Sequence, residues 1–212
     1  MLNLSLNWVL DTDGLLQGGD LPSELQESTV SATSASVLIP LFWYQQQWHV
    51  LFIRRVANSR DRHSGQVAFP GGRRDPLDDT ETDVALREAE EEIGLKSSDV
   101  NVVHVLKSYK TSSNYIVTPV VGIVPWPYPY REQPTEVSRI FSIPLNWLGE
   151  ESNVSVRDRN LKNHHTSAKT KVVYFEKYDD ELLWGASARM TLSLLKALHI
   201  GELELRQWQT SD

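Results

Sequence analysis

The chain has 212 residues, no cysteine and a formal net charge of −7. That length fits one domain of ordinary size with a core that needs no covalent staples. The missing cysteines exclude disulfides, thiolate metal sites and a cysteine nucleophile, and the acidic balance argues against a general nucleic-acid binder.

Residues 1–35 are mixed in character and rich in Ser and Thr towards their end, and we read them as packed on the domain or partly ordered. The opening MLNLSLNWVLDTDG has no basic n-region and no long apolar run, so no signal peptide is expected. No stretch reaches the roughly 18 apolar residues of a membrane span, so no membrane partner and a cytoplasmic location are expected. VLIPLFWY (37–44) and WHVLFIRR (48–55) are β-rich runs separated by QQQ, which predicts a hairpin. QVAF is a short strand that ends at Pro70. From about Thr80 to Ile93 the period turns helical: Ala85, Ala89 and Ile93 form an apolar stripe, with Val84 and Leu86 beside it. Asp78, Asp79 and Thr80 are N-cap candidates, and Gly94 suits the C-terminal stop. NVVHVLKSY (101–109) and YIVTPVVGIV (115–124) predict strands, and PWPYPYREQP (125–134) a loop. IFSIPLNWLGE reads as a strand end and a short helix. NVSVRDRNLKNHHTSAKTKVVYFEKY reads as two strands with a long polar connection, in which His164 and His165 suit a mobile basic loop better than a ligand pair. GASARMTLSLLKALHI (185–200) is the second long helix. The domain is expected over 36–200, with a tail over 201–212. Strands dominate and two long helices flank them, so an α/β fold with a mixed β-sheet between helices is expected.

On a helix at about 100° per residue, Glu88, Glu91 and Glu92 share one face, opposite the apolar stripe, while Glu90 points elsewhere. Charge runs are usually solvated faces, and like charges at this spacing repel. Three carboxylates on so short a stretch are nevertheless a site for hard divalent cations, which prefer oxygen ligands. The preceding FPGG turn can bring a bare carbonyl of Gly71 or Gly72 close to the same place, since glycine lets backbone approach a ligand. Between Arg54 and Arg74 lie six arginines and the single acid Asp61. A basic stretch that could hold an anion therefore precedes an acidic helix that could hold a cation.

With these residues set out, the stretch resembles the Nudix box, G-x5-E-x7-R-E-U-x-E-E-x-G-U with U aliphatic. REAEEEIGL (87–95) fills its second half. The first half departs from it. Counting back from Arg87 gives Asp79 for the loop acid, counting forward from Gly72 gives Asp78, and one inserted residue explains the mismatch. The resemblance implies a Nudix-type α/β/α sandwich and a site in which Glu88, Glu91, Glu92 and the Gly72 carbonyl bind Mg2+ or Mn2+. Arg87 would brace the loop by pairing with an acid. It further implies hydrolysis of a nucleoside diphosphate linked to another group, with Glu88, Glu91, Arg87 and Glu136 in the catalytic set. The general base would be a glutamate of the helix or Glu136, in PTEVSRIFSIPL.

The flanks are more specific. LFIRRVANSRDRHSGQVAFPGG resembles the signature preceding the box in the coenzyme A diphosphatase branch, and NYIVTPVVGIV, EVSRIFSIPL and LLWGASARM resemble its later segments, over about residues 36–199. One residue is inserted before His63, so Asp61 stands where the branch has Arg. The resemblance implies that Arg55, Arg60, Arg62, His63 and Arg73 face the phosphates of coenzyme A or of an acyl or oxidised derivative. Arg forks suit phosphate, although any one arginine can equally pair with the domain's surplus acids, and His63 can serve to fix the loop. The products would be 3′,5′-ADP and 4′-phosphopantetheine or its derivative. ADP-ribose, NADH or another dinucleotide is the alternative substrate. A non-hydrolytic nucleotide-binding regulator is the alternative of another class, though such domains tend to lose box glutamates and this chain keeps all three. Family members are often dimers, so a homodimer is one expectation. Among the tryptophans, Trp126 in the Pro-rich loop is the candidate to stack on adenine.

Overall fold

The computed structural model describes residue 8 and residues 32–57, 64–111, 113–163 and 166–205, with backbone alone for 159–170. Strands β1 (Thr33–Tyr44) and β2 (Gln47–Arg55) form the expected hairpin, with Tyr44 opposite Gln47. Gln45 and Gln46 both take positive φ, 47° and 62°. That is the two-residue turn whose twist suits antiparallel strands. The short strands β3 (Val67–Ala68) and β4 (Gly71–Arg73) follow, then helix α1 (Glu81–Ile93). A 3-10 turn (Ser97–Asp99) leads to β5 (Asn101–Val105), β6 (Tyr109–Lys110), β7 (Tyr115–Ile123) and β8 (Val137–Pro144). The short helix α2 (Leu145–Leu148), strands β9 (Val154–Asn163), β10 (Thr166–Tyr178) and β11 (Glu181–Trp184), and helix α3 (Gly185–His199) complete the order.

β1 is the centre of a mixed sheet. It runs parallel to β7 and antiparallel to β2 and β4. β8 and β3 pair with β2, and β5 and β6 with β7. Alternation along the strands divides the core into two layers. Leu38, Phe42, Leu51, Ile53 and Val120 face Ala85, Ala89 and Ile93 of α1. Ile39, Leu41, Val50, Phe52 and Val121 face the other way, towards Leu192 and Leu195 of α3 and Phe175 of β10. The fold is the α/β/α sandwich expected from the sequence, with the three-stranded sheet β11-β10-β9 added beside α3.

The long polar connection expected between the last strands is instead strand. β9 and β10 stay in register from Val154↔Phe175 to Asn163↔Thr166. Polar residues carry no apolar alternation to mark them as strand, and the backbone register continues through them. The Trp8 indole N–H donates to the Gly149 carbonyl at 3.0 Å. Beyond α3, Leu203 is buried against the same core.

Candidate active site

Helix α1 starts where its cap lies. Among the three candidates, Thr80 is the N-cap: its side chain accepts from the Asp83 N–H, and the Asp83 carboxylate accepts from the Thr80 N–H at 2.8 Å. Gly94 ends the helix in the left-handed conformation, φ 68°. Its last carbonyls are also used, since Gln133 N donates to Glu92 O and Arg131 N to Ile93 O. These bonds fasten the loop that carries Glu136 to the carboxylate end of α1. Glu136 O in turn accepts from Val56 N at 2.8 Å, tying the loop to the end of β2.

Fully buried Ala85 and Ala89 pack α1 on the sheet, and Glu88 and Glu92, flanking them, lie beside β4. A Cβ at Gly72 would lie 2.5 Å from the Glu88 carboxylate, and one at Gly71 would lie 2.4 Å from Ser36 O. Gly71 is therefore required for the turn to lie against the β1 backbone, and Gly72 leaves the space that the Glu88 carboxylate fills. The Gly71 N–H donates to Glu92 Oε2 at 2.9 Å, and Arg55 stands 3.8 Å from Glu92 Oε1. Glu92 is 2% exposed, and burial pushes its carboxyl up to about 7, with Glu88 and Glu136 adding to the rise and the Gly71 N–H and Arg55 opposing it. Burial likewise raises Glu88, against the pull of Arg87. Both glutamates feel the charge of Glu136, on the loop tied to the end of β2.

Arg87 is the hub. Its Nε and NH2 donate to the two oxygens of Asp78 at 3.0 and 2.9 Å. Its NH1 donates to Glu88 at 3.0 Å and to Glu91 at 3.2 Å, and its NH2 also reaches the Arg73 carbonyl at 3.0 Å. The loop acid is therefore Asp78. The inserted residue falls between this acid and Arg87, and the spacing from Gly72 is intact. The Arg87 fork holds the Asp78 carboxyl below the usual carboxylate range. Asp79 contributes only its carbonyl, which accepts from Arg74 NH2 at 2.5 Å. Glu90 accepts from the backbone and hydroxyl of Ser97, away from the site as its helical phase predicts.

The arginines do different work. Arg54 and Arg55, adjacent in β2, point to opposite faces of the sheet. Arg54 donates to buried Glu181 at 3.3 Å, while Arg55 faces Glu92. Arg73 is exposed, with its guanidinium 5.3 Å from the centre of the Tyr115 ring. Arg60, Arg62, His63, His164 and His165 lie outside the described residues. Trp126 stacks on Phe42 at 4.3 Å. Phe42 is five residues, roughly 16 Å, along β1 from Val37, the partner of Gly71. Sequence reasoning passed over Arg74 and the Gly71 N–H. Nothing in residue spacing marks either, because both act through backbone groups.

The oxygen donors suit a hard divalent cation. Among the described residues no three acidic or histidine side chains are already gathered as a metal centre. The reason is visible in the hydrogen bonds: Arg87 occupies Glu88 and Glu91, and Gly71 N–H occupies Glu92. A buried carboxylate with like charges around it is what a cation would relieve, so the residues fit such an ion.

The NUDIX domain family model matches residues 33–164. The chain is 38% identical over 172 residues to an uncharacterized Nudix hydrolase, NudL, of Yersinia pestis, covering 80% of this chain and 83% of that one. It is equally similar to its counterpart in Yersinia pseudotuberculosis. Among solved structures, a MutT/nudix family protein from Enterococcus faecalis superposes with a TM-score of 0.51 at 15% identity, over 84% of this chain and 65% of that one. That likeness concerns the fold.

Proposed function

This chain belongs to the Nudix family and is a Nudix pyrophosphohydrolase, and we propose that the pyrophosphate it cleaves is that of coenzyme A or of an acyl or oxidised derivative. The observation that supports hydrolysis is the linked set Asp78–Arg87–Glu88/Glu91 beside buried Glu92. The coenzyme A assignment rests on the arginine-rich segment and FPGG turn that lead into it.

Nudix enzymes generally use divalent metal ions, and Glu88, Glu91, Glu92 and the Gly72 carbonyl are the groups we assign to hold Mg2+ or Mn2+. Such an ion neutralises phosphate oxygens and acidifies water. The chain's own residues supply the rest. Arg87, anchored by Asp78, sets the direction of Glu88 and Glu91. Glu136 or a glutamate of α1 accepts the proton of the attacking water. Oxygen bonds to one phosphorus of the pyrophosphate, the bridging P–O bond breaks, and the electron pair leaves with the second phosphate. Arg55 and Arg73, with Arg60, Arg62 and His63, are assigned to the substrate phosphates. The substrate is a small nucleotide derivative rather than nucleic acid. Among the described residues no helix is long and apolar enough to cross a membrane. We place the enzyme in the cytoplasm, with a homodimer as its expected assembly.

The test incubates the protein with coenzyme A and Mg2+ or Mn2+, with ADP-ribose and NADH in parallel at equal concentration, and identifies products by mass. The expected products are 3′,5′-ADP and 4′-phosphopantetheine. Preferential cleavage of ADP-ribose or NADH overturns the substrate, and tight nucleotide binding without turnover under any divalent metal points to a regulator. Glu88→Gln and Glu92→Gln should each abolish turnover in folded protein. Activity surviving in both overturns the metal site.

A further inference from the structure

We propose that Arg74 is a positioning residue for the metal site, acting through Asp78 and Arg87; this rests on the metal reading given above. The loop Arg74–Thr80 carries the extra residue of this chain, and extra length loosens a loop. Here the loop is held from two sides. Arg87 grips the Asp78 carboxylate from the helix. Arg74 grips the same residue from just beyond β4, donating through Nε and NH2 to the Asp78 carbonyl at 3.3 and 3.1 Å and through NH2 to the Asp79 carbonyl. Its third contact is with Glu81, 3.6 Å from NH1. The Asp75 N–H donates to Asp78 Oδ2 at 2.7 Å and closes the turn. Asp78 is thus fixed at its backbone by one guanidinium and at its side chain by another.

Arg87 has one guanidinium for three acids. Whatever Asp78 holds is not spent on Glu88 and Glu91. A firmly placed Asp78 holds Nε and NH2, so NH1 is the nitrogen of Arg87 that reaches Glu88 and Glu91, a grip a cation can displace. A loosened Asp78 frees Nε and NH2 to join NH1 on the glutamates, so Arg87 competes more strongly with the cation for them. Arg74 therefore sets how easily the carboxylates are released, although it touches none of the three helix glutamates in the described hydrogen bonds. Outer residues that orient metal ligands change affinity by about 10–100-fold when removed.

The experiment measures Mn2+ binding to substrate-free protein by calorimetry, with thermal melting alongside. Arg74→Ala is expected to raise the Mn2+ Kd about tenfold. Arg74→Lys should recover only part of this, because an ammonium lacks the planar fork. Glu81→Gln, which removes the ion pair and keeps the carbonyl grip, should leave Kd unchanged. In an Asp78→Asn background the effect of Arg74→Ala should largely vanish, since the two act in series. A lowered melting temperature with unchanged Kd in Arg74→Ala shows a merely structural arginine and overturns the proposal, as does unchanged Kd with unchanged melting. Wild-type protein that binds no Mn2+ overturns the metal reading and this inference with it. Wild-type affinity matched by Arg74→Ala overturns this inference alone.

Discussion

Asp78 and Asp79 are neighbouring carboxylates in one loop, and a single guanidinium makes them unequal. Asp78 is 8% exposed and receives both arms of the Arg87 fork. Asp78→Asn should cost about 2 kcal/mol at neutral pH, as for a charge-assisted bond. Asp79→Asn should stay within about 0.5 kcal/mol. The folded Asp78 carboxyl lies below its ordinary 3.8. Its contribution is thus present above that value and lost as pH falls through the lowered folded one. Melting curves between neutral and acid pH should therefore show wild type and Asp78→Asn converging at low pH; a gap that persists there would contradict the ion pair. Glu92 runs the other way. With its folded value raised to about 7 from 4.5, it is cheapest when protonated. Stability of the metal-free protein should fall as pH rises between those values, by a few kcal/mol. Glu92→Gln should accordingly melt higher than wild type at pH about 8 without metal, while losing turnover, the usual conflict between stability and an active site. A variant that melts lower would show that the carboxylate is already well compensated.

Helix α1 carries two faces on one short segment, and each imposes its own limit on the sequence. The buried face must be small, because Ala85 and Ala89 lie where the helix closes on β1 and β4. Ala89→Leu overfills this contact and should cost about 1–3 kcal/mol. Because Glu88 and Glu92 flank that position, Mn2+ affinity should fall as well. The N-terminus is simpler. Thr80→Ala removes the cap at about 1 kcal/mol, which for a chain of this size lowers the melting temperature by roughly 2–4 °C. It leaves the carboxylate end untouched, so Mn2+ affinity should not change. A shift in affinity would mean that the loop and helix start move together. The helix, its cap and its stop were legible in the sequence because they are local: one period, one side-chain cap, one glycine. The two strands β9 and β10 were also expected, but their extension through the polar stretch was not, because cross-strand pairing rather than an apolar pattern marks it as strand.

Across the whole molecule, the second sheet is joined to the first by a buried acid. Glu181, at the start of β11, accepts from Arg139 of β8 at 2.8 Å and from Arg54 of β2 at 3.3 Å, and Arg139 also pairs with Asp179. The grip lies next to Arg55, the residue that faces Glu92. Glu181→Gln should cost about 2 kcal/mol and raise hydrogen exchange in β10 and β11 before the central strands. Uniform exchange across both sheets would show that apolar packing alone docks them.

The sequence by itself determined the hairpin, helix α1 with its triplet Glu88, Glu91 and Glu92, and the family, because each is written in short-range spacing. The tertiary structure decided which aspartate pairs with Arg87, and that Arg54 and Arg55 serve opposite sides of the sheet. It also decided that two glycines must admit the Glu88 carboxylate and the β1 backbone. These depend on groups far apart in the chain meeting within a few ångströms, and often on backbone carbonyls and N–H groups that every residue carries alike. A pattern of side chains cannot announce a contact made by the backbone, and an inserted residue shifts the count without showing which side of the loop absorbs it.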